Sequence, residues 1–179
     1  FFCRTGAGYD KINPAACGKK RRAPYEKAGE SELLKTIVLY YTFGGSTKKE
    51  AEKLAGELGA QICRVREKRN RSLVGSFIPG CPQAIKRRRT KIRPVDADLG
   101  AFDKIVIGCP VWAACPAPAF NSIVELLPAG KEVDVFLCAG GSDPRESDAG
   151  TREMIEAKGC KVTGIRTVTT GAKPSKMKE

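Results

Sequence analysis

The chain has 179 residues, of which 41% are hydrophobic, 29% charged and only 7% aromatic. That is enough for one domain with a self-sufficient core; it excludes general disorder, and no apolar run approaches the ~20 residues a membrane span needs. Histidine is absent, which excludes serine-type triads and His-bearing zinc sites, and 32 Lys and Arg against 20 Asp and Glu leave a net charge of +12.

Residues 1–34 contain Gly, Pro and Asn without a defensible period, together with the cations Lys19, Lys20, Arg21 and Arg22. They read as an N-terminal extension or linker. No charged region followed by an apolar stretch opens the chain, so no signal peptide is expected. Regularity begins at Lys35. Residues 36–41 (TIVLYY) form a continuous apolar and β-branched run too short for a helix, followed by the turn-forming residues 42–47. Ala51, Leu54, Ala55 and Leu58 then recur at helical spacing, with Gly59 placed to close the helix. A second strand is predicted over 60–65, and two more of the buried kind over 104–109 and 133–138. A fifth, over 161–168, alternates more and reads as a sheet edge. Helices are predicted at about 116–127 and 147–158. The regular part of the chain begins at 35, and residues 172–179 read as a tail.

Strands that are apolar throughout are covered on both faces, as in a parallel sheet between helix layers. Alternation of such strands with helices points to a doubly wound α/β fold, whose ligands sit outside the carboxyl ends of the strands. Three strand ends, 42–47, 109–115 and 138–143, are rich in Gly, Pro, Ser, Thr and Cys and are expected to converge on one crevice.

Residues 64–93 hold eleven Lys and Arg against Glu67 alone. Two readings stand: a solvated face, or a surface for an acidic partner such as a protein face, an anionic cofactor or a nucleic acid. Nucleic acid is the weaker choice, because no aromatic rings are interleaved with the charges for base stacking. The eight cysteines show no Cys-x-x-Cys spacing, so no metal site is expected, and they read as free thiols in a reducing compartment, the cytoplasm. Cys109, Cys115 and Cys138 fall at the predicted crevice. They are either redox-active thiols or small apolar packing residues.

The segment 42–47 leaves a strand and enters a helix, where free N–H groups and the helix dipole favour an anion. Gly44 and Gly45 allow close backbone approach, and Thr42, Ser46 and Thr47 add hydroxyls. The Walker pattern is absent, which argues against a nucleoside triphosphatase. The plainer alternative is a tight turn in which Ser46 or Thr47 caps the helix.

The run YYTFGGSTKKEAEKLA resembles the phosphate-binding loop of flavodoxins, GCPVWAACPAPAF (108–120) is similar to their third strand end and following helix, and FLCAGGSD (136–143) to their fourth strand end. The resemblance covers about residues 35–171. It implies a doubly wound three-layer α/β sandwich with a five-stranded parallel sheet in the order 2-1-3-4-5, and non-covalently bound FMN. It assigns Thr42, Phe43, Gly44, Gly45, Ser46 and Thr47 to the phosphate, with Gly44 standing where the family usually has Thr. It assigns Pro110, Val111, Trp112 and Ala113 to the border of the flavin ring, with Trp112 stacking on it or, alternatively, serving as a core residue. Cys138, Ala139, Gly140 and Gly141 complete the set, without the aromatic residue that electron carriers place on the other ring face. The functions implied are electron transfer with a redox partner protein, or NAD(P)H-dependent reduction of quinones or other small acceptors, with the basic stretch attracting the nicotinamide phosphate. A third reading is a degenerate flavodoxin domain that binds partners. No catalytic residue is assigned.

Overall fold

The computed structural model describes residues 34–69, 71–141 and 145–170; the predicted extension with its cluster Lys19–Arg22, the positions Ser142 and Asp143, and the tail lie outside these. Five parallel strands, β1 (Thr36–Tyr40), β2 (Gln61–Arg64), β3 (Lys104–Trp112), β5 (Glu132–Ala139) and β6 (Lys161–Thr169), pair in the order β2-β1-β3-β5-β6. The two-residue β4 (Cys115–Pro116) lies off this path and pairs antiparallel with the end of β3. Counting the parallel strands alone, the order is the expected 2-1-3-4-5.

Side chains alternate across the sheet. Ile37, Leu39, Ile105, Ile107, Val135 and Leu137 face one side, against Phe120, Ile123 and Val124 of α4 (Pro118–Glu125) and Ile155 of α5 (Arg145–Glu156). Val38, Tyr40, Val106 and Phe136 face the other, against Ala51, Leu54 and Ala55 of α1 (Ser46–Leu58). Helices thus cover both faces, as runs apolar throughout require. Each fully buried Ile, Leu or Phe contributes roughly 1.5–3 kcal/mol, so the three central strands supply most of the core's stabilisation. The alternating run at 161–169 is indeed an edge strand, and β2, with three of its four residues exposed, is the other. Gly59 closes α1 at φ 59°, its N–H donating to Ala55 O. No helix among the described residues is long and apolar enough to cross a membrane.

Two local features go beyond the sequence. The strand predicted over 104–109 runs on through the strand end 109–115. β3 continues to Trp112 because β4 folds back on it, and Ala113 and Ala114 (φ 49° and 61°) make the two-residue turn. Both central residues at positive φ are what a hairpin matching the strand twist demands, a place usually taken by Asn or Gly. The basic stretch 64–93, for which the sequence predicts no helix, has order of its own. It contains α2 (Leu73–Gly75), a π-helical turn (Ser76–Gly80) and α3 (Cys81–Ile85), with Gly, Pro and short length masking any period.

This excursion is fastened to the helices on its side of the sheet. Asn121 and Ser122, buried polar residues of α4, bond to it: Asn121 Nδ2 donates to Arg88 O at 3.1 Å, and Ser122 Oγ donates to Thr90 O at 2.7 Å and accepts from Thr90 N at 3.0 Å. Arg87 lies over Gly150 of α5, donating to Ser147 O at 2.8 Å and to Thr151 Oγ1 at 3.3 Å. Any side chain at position 150 would collide with that guanidinium. The half-buried Arg87 is therefore a clamp between the excursion and α5 rather than a free surface cation.

Candidate functional site

The register sets the site. Tyr40 of β1 pairs with Gly108 of β3, Gly108 with Phe136 of β5, and Pro110 with Cys138, so the carboxyl ends of three adjacent strands open side by side. Out of β1, Tyr41 N donates to Gly108 O at 2.9 Å and the chain turns through 42–47 into α1. Thr42 Oγ1 accepts from Gly45 N at 3.0 Å, and Gly45 takes φ 90°, a left-handed value that glycine adopts without strain. No side chain caps α1 and no acidic residue occupies its first turn. The first-turn N–H groups at Ser46, Thr47 and Lys48 therefore have no intrahelical acceptor and carry the positive end of the dipole. A Cβ on Gly44 or Gly45 would meet nothing within 4 Å, so this loop presents an open backbone surface. The structure thus sets aside the capping alternative for Ser46 and Thr47.

Thr47 behaves differently from its neighbours. It is buried on the face of α1 that packs toward β5, where burial raises the Cys138 thiol pKa and the nearby Thr47 hydroxyl offsets part of that rise. It ties the first loop to the third strand end, and the hydroxyls left at the loop surface are those of Thr42 and Ser46.

Pro110, Val111, Trp112 and Ala113 form the β3–β4 hairpin, held to α4 by Ala117 N donating to Pro110 O at 3.0 Å. The half-buried Trp112 is fenced by residues of this chain. Phe43 meets it edge-on at 5.7 Å between centroids, and Tyr41 does so at 6.2 Å. The Arg71 guanidinium sits 5.7 Å from its ring centroid. Gly80 lies so close that an added Cβ would come within 3.0 Å of the indole. The Phe43 contact joins the first loop to the second.

Behind Trp112 lies a buried polar cluster that the sequence reading passed over. Arg71 Nε donates to both carboxylate oxygens of Glu67, at 2.8 and 3.0 Å, and its Nη2 donates to Gln83 Oε1 at 2.9 Å and Thr90 Oγ1 at 3.4 Å. The side chains are 12% and 4% exposed. Burial raises the Tyr41 phenol far above its ordinary pKa, and the nearby Glu67 charge adds to this. The one available signal was Glu67 itself, the sole carboxylate among eleven cations.

At the third strand end Cys138 and Ala139 are buried, while Gly140 and Gly141 are exposed. Among the described residues 138–141 no aromatic ring is present. All six described cysteines are free. Cys109 is fully buried, its Sγ 3.9 Å from Ala117 O, and burial pushes its thiol far up; burial raises Cys138 as well. Burial of both favours the packing alternative. Iodoacetamide at pH 8 is expected to leave Cys109 and Cys138 unmodified in the native protein and to alkylate both in urea, read by peptide mass spectrometry. Native labelling of Cys109 at the rate of half-buried Cys115 would restore the redox alternative.

No protein-family model and no curated protein matches the chain. Solved structures do. The FMN complex of a flavoprotein from Lactobacillus acidophilus NCFM is 24% identical, covers 75% of this chain and 93% of its own, and superposes with a TM-score of 0.65. The apo form of the flavoprotein from that organism is 25% identical over 75% of this chain and 91% of its own, at 0.61. A flavoprotein candidate from Bacteroides eggerthii is 21% identical over 75% and 88%, at 0.65. With the strand order, the two-sided helix cover and these neighbours together, the described part of the chain has the flavodoxin-like fold.

Proposed function

We propose that this protein binds FMN non-covalently at the carboxyl ends of β1, β3 and β5 and transfers electrons through it. The observation that carries the reading is the loop 42–47: an uncapped helix start preceded by an open, glycine-lined turn, next to the Trp112 hairpin. A phosphate fits there, with the N–H groups of the first turn and the hydroxyls of Thr42 and Ser46 as donors. Pro110–Ala113 would border the ring on one side and the backbone of 138–141 on the other. FMN supplies the redox chemistry; the protein holds it and shields it. That a structural neighbour is an FMN complex supports the choice of flavin. Six free thiols agree with a reducing compartment such as the cytoplasm.

The test is the visible spectrum of the purified protein, followed by FMN titration. Retained flavin is expected, with affinity reduced at least about tenfold in Gly45→Val, whose side chain strains the φ 90° turn. A colourless protein that takes up no added FMN would overturn the reading. One observation favours NAD(P)H-dependent reduction of small acceptors over a carrier role: residues 139–141 offer no ring to cover the flavin, leaving room for a substrate. Steady turnover with NADPH and a quinone would select that reading.

A further inference from the structure

The two arms of the basic excursion meet in a short antiparallel ladder. Glu67 and Ile92 form its bridge, flanked by Lys68 N donating to Lys91 O and Arg93 N donating to Arg66 O, both at 2.8 Å. Glu67 is buried and Ile92 packs on the core. Alternation therefore sends Arg66, Lys68, Lys91 and Arg93 to the opposite side, where all four are exposed. Arg64, two residues before Arg66, is exposed as well. Like charges directly opposite one another weaken an antiparallel pair. Several surface cations elsewhere stand beside carboxylates, as in Lys48–Glu52, Arg89–Glu125, Lys161–Glu132 and Arg166–Asp134, while others such as Lys49 and Arg88 stand singly among the described residues. None of the ladder's four cations is in an ion pair among the described residues. Among the described residues the ladder thus presents four like charges in two opposed pairs, held at a cost to its own pairing.

Its position is informative. Val65 N donates to Tyr40 O at 2.8 Å, so the ladder leaves the sheet at the carboxyl end of β2, next to β1. The inward side of the same ladder carries Glu67, which holds Arg71 against Trp112. The cationic face is the outer surface of one wall of the candidate site.

We infer that this ladder docks an acidic protein, one that presents carboxylates on alternate residues of an extended segment. Alternate ladder cations stand about 6.5–7 Å apart along a strand, the spacing at which a facing extended segment presents its own alternate side chains. Guanidinium forks at 66 and 93 match planar carboxylates in paired hydrogen bonds. A nucleic acid is disfavoured because Phe77 is the single aromatic residue in 64–93. The inference rests on the proposed flavin function for its purpose: the acidic protein would be the one that gives electrons to the flavin or takes them. Binding itself does not require flavin.

The experiment uses the full chain and a fluorescent poly-(Glu-Thr) peptide, with duplex DNA and phosphatidylglycerol-containing vesicles as competing probes. Arg66→Gln/Arg93→Gln is compared with Lys53→Gln/Lys161→Gln, which removes the same charge from α1 and from the start of β6. The ladder variant is expected to bind the peptide about tenfold more weakly and the control less than about twofold. The ladder variant should also unfold at an equal or higher temperature, since opposed like charges have been removed. Equal losses in both variants would reduce the effect to net charge and overturn the inference. A ladder-specific loss seen with DNA or vesicles but not with the peptide would overturn it in favour of that other partner. FMN titration of the same samples separates the two readings. Ladder-specific peptide binding by a protein that refuses FMN keeps the docking surface and removes its electron-transfer purpose.

Discussion

Gly108→Ala is expected to destabilise the domain by about 2–3 kcal/mol, read as a lowered urea midpoint with an unchanged slope. The cause is steric. Gly108 pairs with Phe136 across β3 and β5, and the Cζ end of the Phe136 ring fills the space a side chain at position 108 would need. An added Cβ would fall within 2.7 Å of ring atoms Cε1 and Cε2, and closer still to Cζ. The ring has no room to retreat: Phe136 is fully buried, and Arg166 stands 5.8 Å from its centroid while bonded to Asp134 at 3.4 Å. Phe136→Leu in the same molecule should recover part of the loss, because the shorter side chain vacates the space over position 108. A coupling above about 1 kcal/mol between the two substitutions would establish the collision as the cause. A Gly108→Ala protein as stable as the parent would show that the strands can part there. The consequence reaches the site, since the ends of these two strands carry the Trp112 hairpin and residues 138–141.

The parallel core was legible because its signal is local. Runs such as 36–40 and 104–109 are apolar at every position, and only burial on both faces explains that. The glycine at 59 and the hydroxyl-rich turn at 42–47 announced the helix between them. The excursion at 65–103 was not legible for the opposite reason. Its order comes from long-range contacts, Arg87 to α5, Asn121 and Ser122 to the backbone of 88–90, Arg71 to Trp112, and none leaves a period in the sequence. Composition alone made Arg71 and Arg87 equal to the cations beside them. The structure separates them into an inward pair member, a clamp and an exposed ladder. Thr47 shows the same limit at the site: its place in the motif marks it as a phosphate donor, while its contact with Cys138 depends on how α1 packs across β5.

Glu67→Ala carries the largest expected loss, about 3–5 kcal/mol. The substitution leaves the Arg71 guanidinium enclosed beneath Trp112 without its counter-charge. Gln83 and Thr90 remain as neutral acceptors and cannot replace a two-oxygen carboxylate contact at 2.8 and 3.0 Å. Breaking a buried pair and replacing it are different experiments, because the penalty comes mainly from the charge left behind. Glu67→Leu/Arg71→Met should therefore regain most of the stability that Glu67→Ala loses. Trp112 is the only tryptophan, so its fluorescence reports directly on the departure of the guanidinium from the ring. Chemical denaturation of the three proteins checks the first part, and a Glu67→Ala variant within about 1 kcal/mol of the parent would refute it. The recovered double variant then isolates the site. Its fold is restored but the cation against Trp112 is gone, so a several-fold weaker FMN affinity would assign the pair to the shape and charge of the flavin wall. Unchanged affinity would confine it to holding the excursion against the sheet.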